Sequence, residues 1–186
     1  MDTSKTNLQI REDKKRGIYV ENLSEKNASN AKEVLSIMKK GLDCRAVNST
    51  NMNSESSRSH SMVVLNIIHN NLKDLSSKIS KLYLVDLAGS EKTSKTGATG
   101  QTLEEAKSIN KSLTTLGQVI NNLTESKKTH IPYRESKLTR ILQESLGGNS
   151  KTCLIITCSP SRYNEAETLS TLRFGLRAKV NLISLI

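Results

Sequence analysis

Asp86, Gly89 and Glu91 are the residues of this chain whose types and spacing most readily do chemistry. They close the stretch Lys81-Leu-Tyr-Leu-Val-Asp86-Leu-Ala-Gly89-Ser-Glu91, in which Leu82 to Val85 reads as a short buried strand. A carboxylate at the tip of a strand can hold a hydrated Mg²⁺. A glycine just beyond it offers a backbone N–H that no side chain shields from a phosphate. Asp-x-x-Gly taken alone is also an ordinary strand end. A hydroxyl-rich segment upstream, Asn48 to His60, adds complementary groups. In Ser56-Ser57-Arg58 a serine hydroxyl suits Mg²⁺, and Arg58 can pair with Glu91 across a site that closes when a γ-phosphate draws both loops in. A second constellation is cationic. Lys127, Lys128, Arg134, Lys137 and Arg140 fall within a short loop and helix, against the single acid Glu135. Such a face suits an acidic partner, although a charge run by itself is more often a solvated surface.

The elements that must position these groups follow from periodicity. Leu8 to Ile10 and Gly17 to Val20 are β-prone pieces around a charged turn, Arg11 to Arg16, and predict a small hairpin. Ser29 to Lys40 reads as a helix stopped by Gly41. Met62 to Ile68 predicts a strand that returns through Asn70 to Ser77 into the Asp86 strand, which brings the two polar segments near one another. Lys92 to Gly100 reads as a linker, and Thr102-Leu-Glu-Glu105 as a capping box opening a long helix through Leu103, Ala106, Ile109, Leu113, Leu116, Ile120 and Leu123. Ser126 to His130 reads as a loop. A shorter helix is expected from Glu135 to Leu146, stopped by Gly147-Gly148, then an apolar strand from Thr152 to Thr157. A last helix capped by Asn164 carries Ala166, Leu169, Leu172, Leu176 and Val180. Strands separated by helices indicate a layered α/β domain.

A chain of 186 residues can bury one sizeable core. No apolar run approaches the roughly 18 residues of a membrane-spanning helix, and Met1-Asp-Thr-Ser-Lys5 lacks a basic-then-apolar leader. Cys44, Cys153 and Cys158 form no C-x-x-C pair, so reduced thiols are expected, two of them on the buried strand, and no metal site. His60 and His130 have no metal-binding pattern; they read as a structural residue beside the hydroxyl-rich segment and a loop hydrogen-bonder. The net charge of +10 predicts an acidic partner, and the aromatic content of 3% argues against a nucleic-acid stacking platform.

The motifs also carry a family resemblance. Asn53-Ser-Glu-Ser-Ser-Arg-Ser-His60 resembles the first switch of kinesin motor domains, and Asp86-Leu-Ala-Gly-Ser-Glu91 resembles the second. Ile131-Pro-Tyr-Arg-Glu-Ser-Lys-Leu-Thr-Arg140, with Leu146-Gly-Gly-Asn149 after it, resembles the microtubule-binding loop and helix. Thr168 to Lys179 resembles the last motor helix, and Thr96 to Lys107 looks most like conventional, fungal-type kinesin. The resemblance implies an α/β fold of the P-loop NTPase type, with a central mixed sheet and flanking helices. Its implied parts are a hairpin and helix in 1–47, switch I in 48–61, a strand pair with switch II in 62–91, and a linker with the relay helix in 92–125. The microtubule-binding loop and helix take 126–149, and the last strand and helix 150–186. It implies that Ser57 ligates Mg²⁺, Ser56 holds the attacking water and Asp86 holds Mg²⁺ through a water. The Gly89 amide senses the γ-phosphate, and Glu91 accepts a proton while pairing with Arg58. ATP and Mg²⁺ are the implied cofactors, and the acidic surface of the microtubule is the implied partner of Lys127, Lys128, Arg134, Lys137 and Arg140. Neither nucleic acid nor membrane is implied, and the place of work is the cytoplasm and its microtubule cytoskeleton.

One departure is large. None of the nine glycines is followed by lysine, so the phosphate loop G-x-x-x-x-G-K-[ST] is absent from this sequence. Gly147 to Thr152, the nearest imitation, is expected to be a turn. The expectation is therefore the C-terminal half of a motor domain, with the phosphate loop and the N-terminal part of the sheet missing. Such a chain is inactive alone as an ATPase, with marginal folding and no encoded oligomerisation. The rival reading is a non-catalytic microtubule-binding module.

Overall fold

The computed structural model describes residues 5–14, 16–47, 59–90, 101–124 and 130–183. The chain divides into two compact units. One unit carries helix α1 (Ala31–Val47) and strands β3 (Ser61–Asn70) and β4 (Ser77–Asp86). The other carries strands β1 (Ile10–Asp13) and β2 (Gly17–Val20) and helices α2 (Gln101–Thr124), α3 (Lys137–Ile141), α4 (Gln143–Gly147) and α5 (Glu165–Ile183).

In the first unit, β3 and β4 form an antiparallel hairpin. Its register pairs Ser61 with Asp86 at one end and Asn70 with Ser77 at the other. Val63, Val64, Ile67, Ile68 and Ile79 supply the β-branched side chains that favour a pleated backbone. The turn is tied by Asn71 Oδ1 accepting from the Lys73 N–H at 3.0 Å and Asp74 Oδ1 from the Ser76 N–H at 2.9 Å. The strand is longer than expected and it is not buried: Leu82, Leu84 and Val85 are 44%, 42% and 36% exposed. Among the described residues this sheet has two strands, and a two-stranded ribbon buries little of its own apolar surface. Helix α1 begins where Asn30 Oδ1 accepts from the Glu33 N–H and Glu33 Oε2 accepts from the Ser29 N–H. It runs through Gly41 to Val47 rather than stopping there. Gly17 is the glycine with positive φ among the described residues, so Gly41 does not adopt the left-handed conformation of a helix stop.

The second unit is built on α2. Thr115, Leu116, Val119 and Ile120 bury one face of it, and α2 packs against α5 and α3. Leu138 and Leu142 are buried on the short helical segment. That segment is not one helix. Ser136 is extended (φ −140°, ψ 152°), separating a 3₁₀ turn (Tyr133–Glu135) from α3, and Leu142 separates α3 from α4. Gly148 is required where it stands, because an added Cβ would lie 2.6 Å from the Glu144 carbonyl. Gly147 to Thr152 leaves a helix and turns, with the Gly148 N–H donating to Glu144 O at 3.2 Å and the Thr152 hydroxyl to Ser145 O. Residues 151–161 carry no regular secondary structure, so the expected strand at Thr152 to Thr157 does not form a ladder among the described residues. Cys153 and Cys158, expected on it as buried thiols, are exposed. A strand needs a neighbour to hydrogen-bond, and the described strands pair as β1 with β2 and β3 with β4. Asn164 lies in a 3₁₀ turn ahead of α5, where its amide donates to Ser159 Oγ; the capping side chain of that turn is Ser161.

Candidate functional site

The antiparallel register of β3 and β4 decides how the first constellation is assembled. Because Ser61 faces Asp86, the segment that ends in Ser59 and His60 and the segment Asp86 to Gly89 leave the same end of one hairpin. They are then joined: His60 Nδ1 accepts a hydrogen bond from the Ala88 N–H at 2.9 Å. Ala88 is 5% exposed, so this bond is sheltered from water. An acceptor at Nδ1 fixes the imidazole tautomer with its proton on Nε2. Asp86 is exposed at the strand tip and Gly89 half-buried beyond it. Ser56, Ser57, Arg58 and Glu91 lie outside the described residues, so neither the Arg58–Glu91 pair nor the serine ligands are placed. An exposed carboxylate at a strand end, with a glycine three residues on, is of the residue types that fit a hydrated Mg²⁺ and a phosphate oxygen. Among the described residues, no three His, Cys, Asp or Glu side chains gather as a metal cluster.

The second constellation is built around a buried threonine. Thr139 is fully buried, and its hydroxyl donates to Tyr133 O at 2.8 Å. Ser136 Oγ caps α3 by accepting from the Thr139 N–H at 3.0 Å and lies 2.8 Å from Thr139 Oγ1. This knot fixes the 3₁₀ turn to α3. Lys137 and Arg140 lie three apart on α3, and Arg134 is carried by the turn tied to it. Tyr133 is partly buried beside Gly147, where an added Cβ would overlap its hydroxyl, and burial raises its phenol above the ordinary tyrosine value. Lys127 and Lys128 lie outside the described residues, and His130 is exposed.

Sequence reading missed the surroundings of this face. The β1–β2 hairpin is docked to α4 because Glu144 Oε1 accepts from the Ile18 N–H at 3.1 Å and Ile18 is buried. Gly17 permits the approach: it adopts φ 70°, and an added Cβ would overlap Glu144 Oε1. The docking brings Glu12 Oε2 to 3.4 Å from both Arg134 Nη2 and Arg140 Nη2. Lys137 Nζ reaches Asn7 Oδ1 at 3.5 Å. Ile10 to Lys14, Arg134 and Arg140 line an open concavity here. The charged run Arg11 to Arg16 was the available signal; it read as the charged turn of a small hairpin because nothing local reveals a contact more than a hundred residues away.

Comparison with known proteins identifies the family. The family model of the kinesin motor domain matches residues 1–180. A kinesin heavy chain of Botryotinia fuckeliana is 66% identical over 93% of this chain and 20% of its own length. One of Syncephalastrum racemosum is 64% identical over 96% of this chain and 19% of its own length. Among solved structures, that of a fast kinesin superposes with a TM-score of 0.84 at 64% identity, covering 93% of this chain and 49% of that one. The KIF14 dimer in its two-heads-bound state, with AMP-PNP and in complex with a microtubule, superposes with a TM-score of 0.84 at 45% identity, covering 94% and 50%. The chain thus spans about a fifth of the curated relatives and half of the solved chains it matches. The fold is the mixed α/β, P-loop NTPase-like fold of those motors, represented by part of its strands. The chain belongs to the kinesin motor domain family.

Proposed function

We propose that this chain is the microtubule-binding part of an ATP-driven kinesin motor, working in microtubule-based movement on the cytoplasmic cytoskeleton. The observation that carries the reading is the fixed unit of Arg134, Lys137 and Arg140 around buried Thr139, with Lys127 and Lys128 preceding it in sequence. An acidic surface meeting such a unit gains charge-assisted contacts without first ordering the backbone that presents them.

The hairpin end supplies the nucleotide-sensing half. Asp86 would hold Mg²⁺ through a water, Ser57 would ligate it, and the Gly89 amide would donate to the γ-phosphate. Ser56 would hold the attacking water, and Glu91 would accept a proton while paired with Arg58. When bound, Mg²⁺ supplies neutralisation of charge on the phosphates. The His60–Ala88 hydrogen bond supports this reading, because it ties the backbone just before Gly89 to the segment that follows Arg58.

A second reading, a non-catalytic microtubule-binding module, is favoured by one feature: no glycine of this sequence is followed by lysine, so the backbone cradle for the phosphates is not encoded in it. Both readings predict no ATP turnover by this chain on its own. Phosphate release by the purified chain is measured with and without microtubules, beside Glu91→Ala. No turnover in either is expected. Turnover that the substitution abolishes would overturn the inactivity and establish a working site.

A further inference from the structure

We propose that Glu12 is an internal stand-in for the acidic partner, occupying the Arg134–Arg140 pair until a partner carboxylate displaces it. One carboxylate oxygen, Glu12 Oε2, lies 3.4 Å from a terminal nitrogen of each arginine. The geometry is not that of a wandering surface pair. Arg140 is 19% exposed at its side chain and is rooted in α3 through the capped Ser136–Thr139 turn. Glu12 is held from the other side, since the Ile18 N–H bond to Glu144 and the buried Ile18 pin the hairpin that carries it. Two arginines from separate turns thus converge on one anion, and the anion present belongs to the chain itself. The same concavity remains open to solvent along Arg11, Asp13 and Lys14. Arg134, 77% exposed at its side chain, is the arm within reach of an incoming carboxylate.

The chemistry that fits is a carboxylate on an acidic protein surface. An incoming carboxylate gains one or both arginines and frees Glu12 to water, so the exchange is near balance and graded by salt. Glu12 therefore sets the strength and the salt sensitivity of binding, and its removal strengthens attachment. This inference rests on the microtubule reading only for the identity of the partner.

The experiment uses the whole chain and its Glu12→Gln, Glu12→Ala, Arg140→Gln and Glu12→Gln/Arg140→Gln variants, with two ligands: microtubules by co-sedimentation and a labelled oligoglutamate peptide by fluorescence anisotropy. Both Glu12 variants are expected to bind each ligand on the order of 2- to 5-fold tighter at low salt, with a steeper loss as salt rises. The gain should vanish when Arg140→Gln is also present. Unchanged or weaker binding of Glu12→Gln to both ligands overturns the proposal, as does an equal gain in the Arg140→Gln background. If the parent chain fails to sediment with microtubules while Glu12→Gln still tightens on oligoglutamate, the partner reading falls and the role of Glu12 stands. If the parent chain sediments and neither ligand responds to Glu12→Gln, the reverse holds.

Discussion

Replacing Thr139 with valine tests whether the buried knot, rather than general helicity, holds the cationic face. Thr139 has no exposed surface, and its hydroxyl serves two bonds: it donates to Tyr133 O at 2.8 Å and lies 2.8 Å from Ser136 Oγ. The Ser136 carbonyl, at 3.1 Å, is a longer second acceptor. Valine keeps the branch and the volume but offers the Tyr133 carbonyl no donor. Leaving a buried acceptor unsatisfied costs about 1–3 kcal/mol, and the Ser136 hydroxyl loses a partner as well, so a loss of about 2 kcal/mol is expected. With a urea dependence of about 1–3 kcal/mol per molar for small domains, the unfolding midpoint should fall by roughly 1 M. Thr139→Ser serves as the reference, because it keeps the hydroxyl and removes one methyl, at a cost of about 1 kcal/mol. Equilibrium unfolding followed by circular dichroism gives the comparison, with salt-dependent microtubule co-sedimentation read in parallel. The valine variant should be the less stable of the two and should bind more weakly, since the turn carrying Arg134 is no longer tied to α3. A valine variant as stable as the serine variant would refute the reasoning.

Three further outcomes are expected. Gly17→Ala should cost more than the roughly 1–2 kcal/mol of a left-handed residue, because the new Cβ also displaces Glu144 from the Ile18 N–H; a loss under about 0.5 kcal/mol in urea unfolding contradicts this. His60→Ala should remove the acceptor of the Ala88 N–H, cost about 1 kcal/mol and speed hydrogen exchange at that amide; unchanged exchange at Ala88 would sink the claim. Burial raises the Tyr133 phenol, so the stability it contributes is fully present below the ordinary tyrosine range and is lost as pH rises through the higher folded value. Alkaline unfolding should therefore be less steep in Tyr133→Phe, and identical alkaline limbs would contradict the assignment.

What was legible in the sequence was local. The β3–β4 hairpin follows from runs rich in β-branched residues on either side of Asn71 and Asp74, and α2 from its apolar spacing, with Leu116 and Ile120 buried as that spacing demands. The hairpin register explains why the segments ending in His60 and beginning at Asp86 share an end. What failed depended on neighbours. Leu82 to Val85 resembles a buried strand, but burial is a property of what covers the ribbon. Thr152 to Thr157 is apolar enough for a strand, yet a ladder needs a partner. Lys39-Lys40-Gly41 carries a helix stop signal, but an interior glycine costs only about 1 kcal/mol, and α1 continues through it. The break between Glu135 and Leu142 had a readable cue, since Ser136 is a good N-cap residue placed three before Thr139. Glu144 had none, and Glu12 only its place in a charged turn, because their partners lie more than a hundred residues away.

The central claim, that the chain meets an acidic track through the unit of Arg134, Lys137 and Arg140, is tested most directly by co-sedimentation of the purified chain with microtubules across a salt series. Lys137→Glu and Arg140→Glu are measured alongside, with folding checked by circular dichroism. The account predicts pelleting at low salt that fades as salt rises and weakens severalfold in each charge reversal, without dependence on added nucleotide. Failure to pellet at low salt, or pelleting that ignores both reversals, would contradict it.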